Sequence, residues 1–166
     1  MTFLDLVAGD SVFLDANTFV YHFAPDPRWS SSCGQLLQRI QNREITGHTS
    51  AAILGEVAHR LMTIEAKARY RWSSGKLLHH LKKSPQIVKT LTNSEASVAS
   101  IVASLVQIFP IDASLIVAAT AVSRQTGLLT NDALAVALMQ AHGLTKLASN
   151  DPDFDSVPGL TRYAPV

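Results

Sequence analysis

Apolar positions along this chain change their spacing several times, and each change marks an element. Val12-Phe13-Leu14 is an unbroken apolar run that ends on Asp15, the pattern of a strand covered on both faces inside a parallel sheet. A short helical segment from Thr18 to Phe23 is stopped by Pro25-Asp26-Pro27. Ser30-Ser31-Ser32 can cap a helix that carries Leu36, Leu37 and Ile40. Glu44 to His48 predicts a second strand, and Thr49-Ser50 would cap the next helix. In that helix Ile53, Leu54, Val57, Ala58, Leu61 and Met62 recur at helical spacing, with Glu56 beside the apolar stripe. Lys67 to Asn93 is helical in composition, with breaks at Ser73-Ser74-Gly75 and Ser84-Pro85. Val98, Ile101, Val102 and Leu105 mark another amphipathic helix, and Gln107-Ile108-Phe109 a third strand stopped by Pro110.

Ile111 to Gln125 is alanine-rich and helical, ending at Gly127. Leu128 to Asp132 opens a helix that runs to about His142, with Gly143 as its stop. Lys146 to Asp151 predicts a fourth strand, and Thr161 to Val166 a fifth, at an edge because of Pro165. Strands alternating with helices predict an α/β fold: a three-layer α/β/α sandwich around a mainly parallel sheet of four or five strands. No repeat or linker divides the chain, so residues 1–166 are expected to form one domain.

Composition adds two points. Charged residues make up 16% and hydrophobic ones 47%, against about 25% charged in an average domain, so a partner is expected to cover some apolar surface. Net charge is +1, yet its distribution is uneven. Arg60, Lys67, Arg69, Arg71, Lys76, Lys82, Lys83 and Lys89 are opposed only by Glu65, while Asp132, Asp151, Asp153 and Asp155 crowd the later part. Such a distribution suits a polyanion substrate that must also reach bound cations, although a solvated helical face accounts equally well for the basic run alone. The apolar and basic helices from Leu61 to Leu91 are the expected partner contact. Cys33 is the only cysteine, which excludes an intrachain disulfide and a cysteine-built zinc site. No signal-peptide pattern opens the sequence and no segment reaches 18 apolar residues, so no membrane is expected and the cytoplasm is the expected location.

The chemistry lies in the acids. Ligands of open α/β sheets sit outside the carboxyl ends of the strands, where Asp15 and Asp151 are expected; Asp132 falls in the first turn of a helix and Glu56 two turns into another. Two like charges about 4 Å apart repel by roughly 4 kcal/mol at an effective dielectric near 20. Converging carboxylates therefore either stay protonated or share divalent cations. All-oxygen donors favour Mg2+ or Mn2+ over zinc, and such ions suit phosphodiester hydrolysis.

Val12-Phe13-Leu14-Asp15-Ala16-Asn17, Glu56-Val57, Leu129-Thr130-Asn131-Asp132-Ala133-Leu134 and Ser149-Asn150-Asp151-Pro152-Asp153-Phe154, in that order and spacing, resemble the motifs of PIN-domain nucleases. The resemblance runs from the first strand to Arg162-Tyr163-Ala164-Pro165. It implies a metal-dependent endoribonuclease that leaves a 5′-phosphate and a 3′-hydroxyl. Stand-alone members of this size are commonly VapC-type toxins, homodimeric and neutralised by an antitoxin protein. Asp15, Glu56, Asp132 and Asp151 match the acidic quartet that holds Mg2+ or Mn2+, and Asp153 a further acid of some members; Glu56 could equally serve as a general base. Asn17 and Asn131 match supporting positions, and Thr130 could support the site by orienting a carboxylate or simply cap the helix at Asp132. Asp112 also resembles the third-acid motif, but Asp132 lies at the right distance before Asp151, and Asp112 reads as a helix N-cap.

For RNA contact, His48, Arg60, Arg69 and Arg71 are the candidates, with Trp72 able to stack on a base. A buried structural histidine and a packed tryptophan are the blander readings of His48 and Trp72. The alternatives are a catalytically inactive PIN-fold module that binds RNA or protein, a toprim-like domain using Asp151-Pro152-Asp153, and a phosphoryl-aspartate hydrolase. The toprim reading lacks its early glutamate, and the hydrolase reading meets Asn17 where a second acid is needed. No Gly-x-Gly-x-x-Gly follows the first strand, which argues against dinucleotide binding.

Overall fold

A computed structural model describes residues 1–166. The first strand, β1 (Ser11–Leu14), lies at the centre because Val12, Phe13 and Leu14 have no solvent-exposed surface at all. In chain order follow α1 (Ala16–Phe23), α2 (Ser30–Gln41), β2 (Thr46–Ser50), the long α3 (Ala51–Tyr70), α4 (Ser74–Lys83), α5 (Pro85–Val88) and α6 (Asn93–Val102). Then come β3 (Gln107–Phe109), α7 (Ala113–Thr126), α8 (Thr130–Ala141), β4 (Lys146–Ala148) and β5 (Thr161–Tyr163).

All five strands are parallel, in the order β3-β2-β1-β4-β5. The chain first moves outward from β1 to β3 and then returns to β4 on the other side of β1. Right-handed crossovers place the connecting helices of these two moves on opposite faces. Neighbouring residues of β2 show both layers. A Cβ added at Gly47 would lie 2.6 Å from Ile40 of α2, whereas the ring of the next residue, His48, stacks on Phe109, which stacks in turn on His142 just beyond α8.

One core of 32 buried residues fills the space around the sheet. A second, of Ala66, Leu77, Leu81 and Leu91, joins the far end of α3 to α4 and the segment after α5. Trp72 packs against this second core, its ring stacked between Tyr70 and His80. Glu65 ties the region together: its carboxylate lies 2.7 Å from Arg69 and accepts the N–H of Asn93 at 3.0 Å. No helix is long and apolar enough to cross a membrane.

Several boundaries differ from the sequence reading, among them the end of the fifth strand, which stops at Tyr163 rather than Val166. The second strand begins at Thr46 rather than Glu44, because Glu44 turns out to pair with Arg39. The helix break in the middle falls at Arg71–Ser73, where Arg71 adopts φ 52° and closes α3, so Gly75 lies inside α4. The fourth strand stops at Ala148, not Asp151, for a reason that belongs to the site.

Candidate active site

Strand order reverses at β1, and the crevice between the carboxyl ends of β1 and β4 is where an open α/β sheet binds its ligand. Asp15 follows β1 directly. Only 8% exposed, it caps α1 by accepting the N–H of Ala16 at 2.7 Å through Oδ1. Its Oδ2 accepts the hydroxyl of Ser149 at 2.7 Å and a side-chain N–H of Asn17. Burial pushes the Asp15 carboxyl up from its ordinary value, against these hydrogen bonds, and the nearby Glu56 charge adds to the rise.

Ser149 explains why β4 ends early. Fully buried, its hydroxyl donates to Asp15 and accepts both the Asn17 side-chain N–H at 3.0 Å and the backbone N–H of Asp151 at 3.0 Å. The backbone therefore bends around the hydroxyl. Asp151 becomes the cap of a 3-10 turn over Pro152–Ser156, accepting the N–H of Asp153 at 3.0 Å. Asn17 locks the same bend, accepting the backbone N–H of Asn150 at 3.1 Å. The sequence reading omitted Ser149 from the site. The available signal was a small hydroxyl residue between an apolar strand and an acid, two residues before Asp151.

Arg162 of β5 braces this loop from the outer side. Its guanidinium makes two 2.8 Å hydrogen bonds to Asp155 and donates to the Ser149 carbonyl at 3.2 Å. Asp155 is thereby committed to an ion pair, while Asp153 stays exposed at the loop surface.

The other acids gather at the same rim. An open cleft of ≈ 560 Å³ is lined by Glu56, Asp132 and Asp151 together with Leu129, Thr130 and Asn131. Thr130, Asn131 and Asp132 form the first turn of α8; Thr130 and Asn131 are exposed, and no side chain caps this helix. The Asp132 carboxyl is pushed up to about 6, first by burial and then by the charges of Asp15, Asp151, Glu56 and Asp153. Four other carboxylates thus act on one group. As their side chains stand, no three of them close around a common point that could hold a metal ion. The donor chemistry nevertheless fits a hard divalent cation: every candidate ligand is a carboxylate oxygen, with neither thiolate nor imidazole beside them.

Arg60 is the basic residue that lines the cleft side of this rim. One turn after Glu56 on α3, it lies 3.5 Å from the Glu56 carboxylate and lowers the otherwise raised Asp15 carboxyl. The other residues put forward for RNA contact lie elsewhere. His48 is buried in the stack with Phe109 and His142, neither ring nitrogen has a hydrogen-bond partner, and burial pulls its pKa down, with His142 adding to the effect. Arg69 is held by Glu65 and by the Thr90 carbonyl, and Arg71 closes α3. Thirteen residues at 1.5 Å each put Arg69 about 20 Å along the helix from Glu56. Asp112, exposed, caps α7 by accepting the N–H of Leu115 at 2.9 Å.

A five-stranded parallel sheet with acids at the switch point between its central strands defines a PIN-type α/β domain. The chain belongs to the PIN domain family, whose model matches residues 12–160; members of this family are typically nucleases and generally metal-dependent. No curated relative matches the sequence. Among solved structures, VapBC2 from Rickettsia felis bound to a DNA fragment from its promoter superposes with a TM-score of 0.61 at 16% identity, covering 94% of this chain and 99% of that one. The sarcin-ricin loop cleaving toxin VapC20 of Mycobacterium tuberculosis gives 0.60 at 19% identity, covering 87% and 93%. A toxin–antitoxin complex from Klebsiella pneumoniae gives 0.51 at 18% identity, covering 90% and 95%. At these identities the likeness is one of fold, and the fold is that of VapC toxins.

Proposed function

We propose that the 166 residues act as one Mg2+- or Mn2+-dependent endoribonuclease domain, the toxin of a toxin–antitoxin pair. The observation that carries this reading is the cleft at the switch point of the sheet lined by Glu56, Asp132 and Asp151, with Asp15 and Asp153 near enough for their charges to act on Asp132. Those five carboxylates would hold the metal. A bound hard cation would offset their repulsion, bind phosphate oxygens and acidify water. The chain's own groups do the rest. Ser149 and Asn17 fix the Asp15 carboxylate toward the crevice and hold the Asp151 loop against it. Glu56 offers an oxygen either as a ligand or as the acceptor of the attacking water's proton, and Arg60 presents a cation to the phosphate beside it.

Incubating labelled RNA with Mg2+, Mn2+ or EDTA tests the reading. Cleavage is expected with either metal, none with EDTA, and none by Asp15→Asn. Equal cleavage by that variant, or metal-independent cleavage, overturns the assignment.

A second reading, an inactive PIN-fold module, is favoured by the failure of any three carboxylates to meet at one point. Thermal melting separates the two. The nuclease reading expects Mn2+ to stabilise the wild type and barely affect Asp15→Asn; the module reading expects no difference between them. The neighbouring toxin–antitoxin structures support an antitoxin partner. A homodimer is supported by α7, which leaves Ile116 and Val117 43% and 70% exposed on one face.

A further inference from the structure

The groove that starts at the acids does not end at Arg60. Asp151 lines both the acidic cleft and a second depression of ≈ 280 Å³ formed with Asn17, Tyr21, Arg60 and Asn150. Tyr21 and Arg60 in turn line a third, of ≈ 410 Å³, whose remaining walls include Val20, Pro25, Pro27 and Ile64. Helix geometry explains the continuity. α1 and α3 both start at the carboxyl ends of adjacent parallel strands, so both leave the same rim. Along α3, Glu56, Arg60 and Ile64 follow at four-residue intervals, about 6 Å apart on one stripe. The order along the groove is therefore acid, cation, apolar wall, with Asp26 also lining the third pocket.

We infer, on the reading that this chain cleaves RNA, that the third pocket between α1 and α3 is a subsite for an unpaired nucleobase next to the cleaved phosphate. A nucleic-acid strand presents the complementary order: a phosphate for the acidic cleft and Arg60, then a flat base with apolar faces and polar edges. The proline walls are rigid before the base arrives. Ile64 is 41% exposed, an aliphatic surface that a base face covers. The Tyr21 hydroxyl accepts the Asn150 side-chain N–H at 3.2 Å and donates to no protein atom, which leaves its proton for a base or ribose oxygen. A base in a duplex has both faces stacked and one edge paired, so only a splayed-out base enters such a pocket.

Two measurements test the subsite independently of one another. In EDTA, an eight-nucleotide RNA carrying 4-thiouridine is irradiated with the wild-type chain. Crosslinks in the peptides containing Tyr21 or Ile64 are expected, and crosslinks confined to Lys76–Lys83 of α4 overturn the subsite. With Mn2+, a series of RNAs with one abasic residue moved along the strand is cleaved. The expected result is a fall in kcat/KM of roughly tenfold or more at one fixed position from the cut. In the exposed-residue variant Ile64→Ala, intact RNA should fall to that abasic level, with unchanged circular dichroism. Cleavage that ignores every abasic position overturns the subsite and leaves the nuclease standing. Crosslinking at Tyr21 without any cleavage supports the subsite and removes the nuclease reading. If Ile64→Glu turns a dimer into a monomer and leaves the abasic profile unchanged, the pocket belongs to a protein interface and the inference fails.

Discussion

At the scale of single residues, the buried hydroxyl of Ser149 couples three groups that stand 132 and 134 residues apart in sequence or two apart along the loop. Ser149→Ala leaves the Asp15 Oδ2 and the Asp151 N–H each short of a partner. It should cost about 1–3 kcal/mol of stability and roughly 10–100-fold in Mn2+ affinity, read by chemical denaturation and by calorimetric titration; wild-type Mn2+ affinity would show that the hydroxyl does not organise the acids. Asp132 brings a pH dependence of definite sign. Its carboxyl binds its proton more tightly in the folded chain, so the stability it contributes is full below its ordinary value of 3.8 and is lost as pH rises through about 6. The buried His48 works in the opposite sense, because its depressed pKa favours the fold at higher pH. The difference between wild type and Asp132→Asn isolates the acid. In EDTA the variant should melt higher than the wild type at pH 7.5 and match it near pH 4, and Mn2+ should raise only the wild type.

The acids themselves were readable from sequence, because Asp15 and Asp132 sit where an apolar pattern breaks or begins and Asp151 follows another such break. Of Ser149 only its place before an acid was readable, since its role exists only once β1 and β4 are neighbours. His48 carried two readings, RNA contact and a buried structural ring, for the same reason, and the structure bears out the second. Its place in β2 was readable, but not which face it would take, and the face decides between cleft and core.

At the scale of elements, β2 shows how closely a helix can approach the sheet. Ile40 fills the place where a side chain at Gly47 would stand. Gly47→Ala should cost about 1–3 kcal/mol by overpacking, and Gly47→Ala with Ile40→Val should recover part of it in a double-mutant melt; an unperturbed single variant would mean that α2 slides freely. Periodicity located every strand and the helices that face the large core. It placed boundaries poorly where local caps decide them. Arg71, with its left-handed backbone, ends α3 two residues before the serine and glycine run that marked the break in sequence.

At the scale of the whole molecule, a low charged fraction raised the expectation of covered apolar surface, and on α7 Ile116 and Val117 leave such surface exposed. Val117→Glu on this face should convert a dimer to a monomer in light scattering while leaving the melting temperature within a few degrees. A variant that remains dimeric places the interface on another face. A mainly parallel sheet was legible from strands alternating with helices, but the strand order was not, because short apolar runs carry no record of their neighbours. The separate small core of α3, α4 and Leu91 also escaped notice, its apolar residues being few and diluted by lysines.

The bracing of Ser149 by Arg162 and Tyr163 bears on how the protein is made. The ribosome delivers β1 early and β5 last of the strands, so a nascent chain carries its first acids long before the strand that steadies the final ones. On the proposed nuclease reading, a chain still attached to the ribosome would lack the strand that steadies its last acids. Stalled chains ending before Thr161 should accordingly leave a nearby reporter transcript whole, and chains extended through Tyr163 and freed by a linker should nick it.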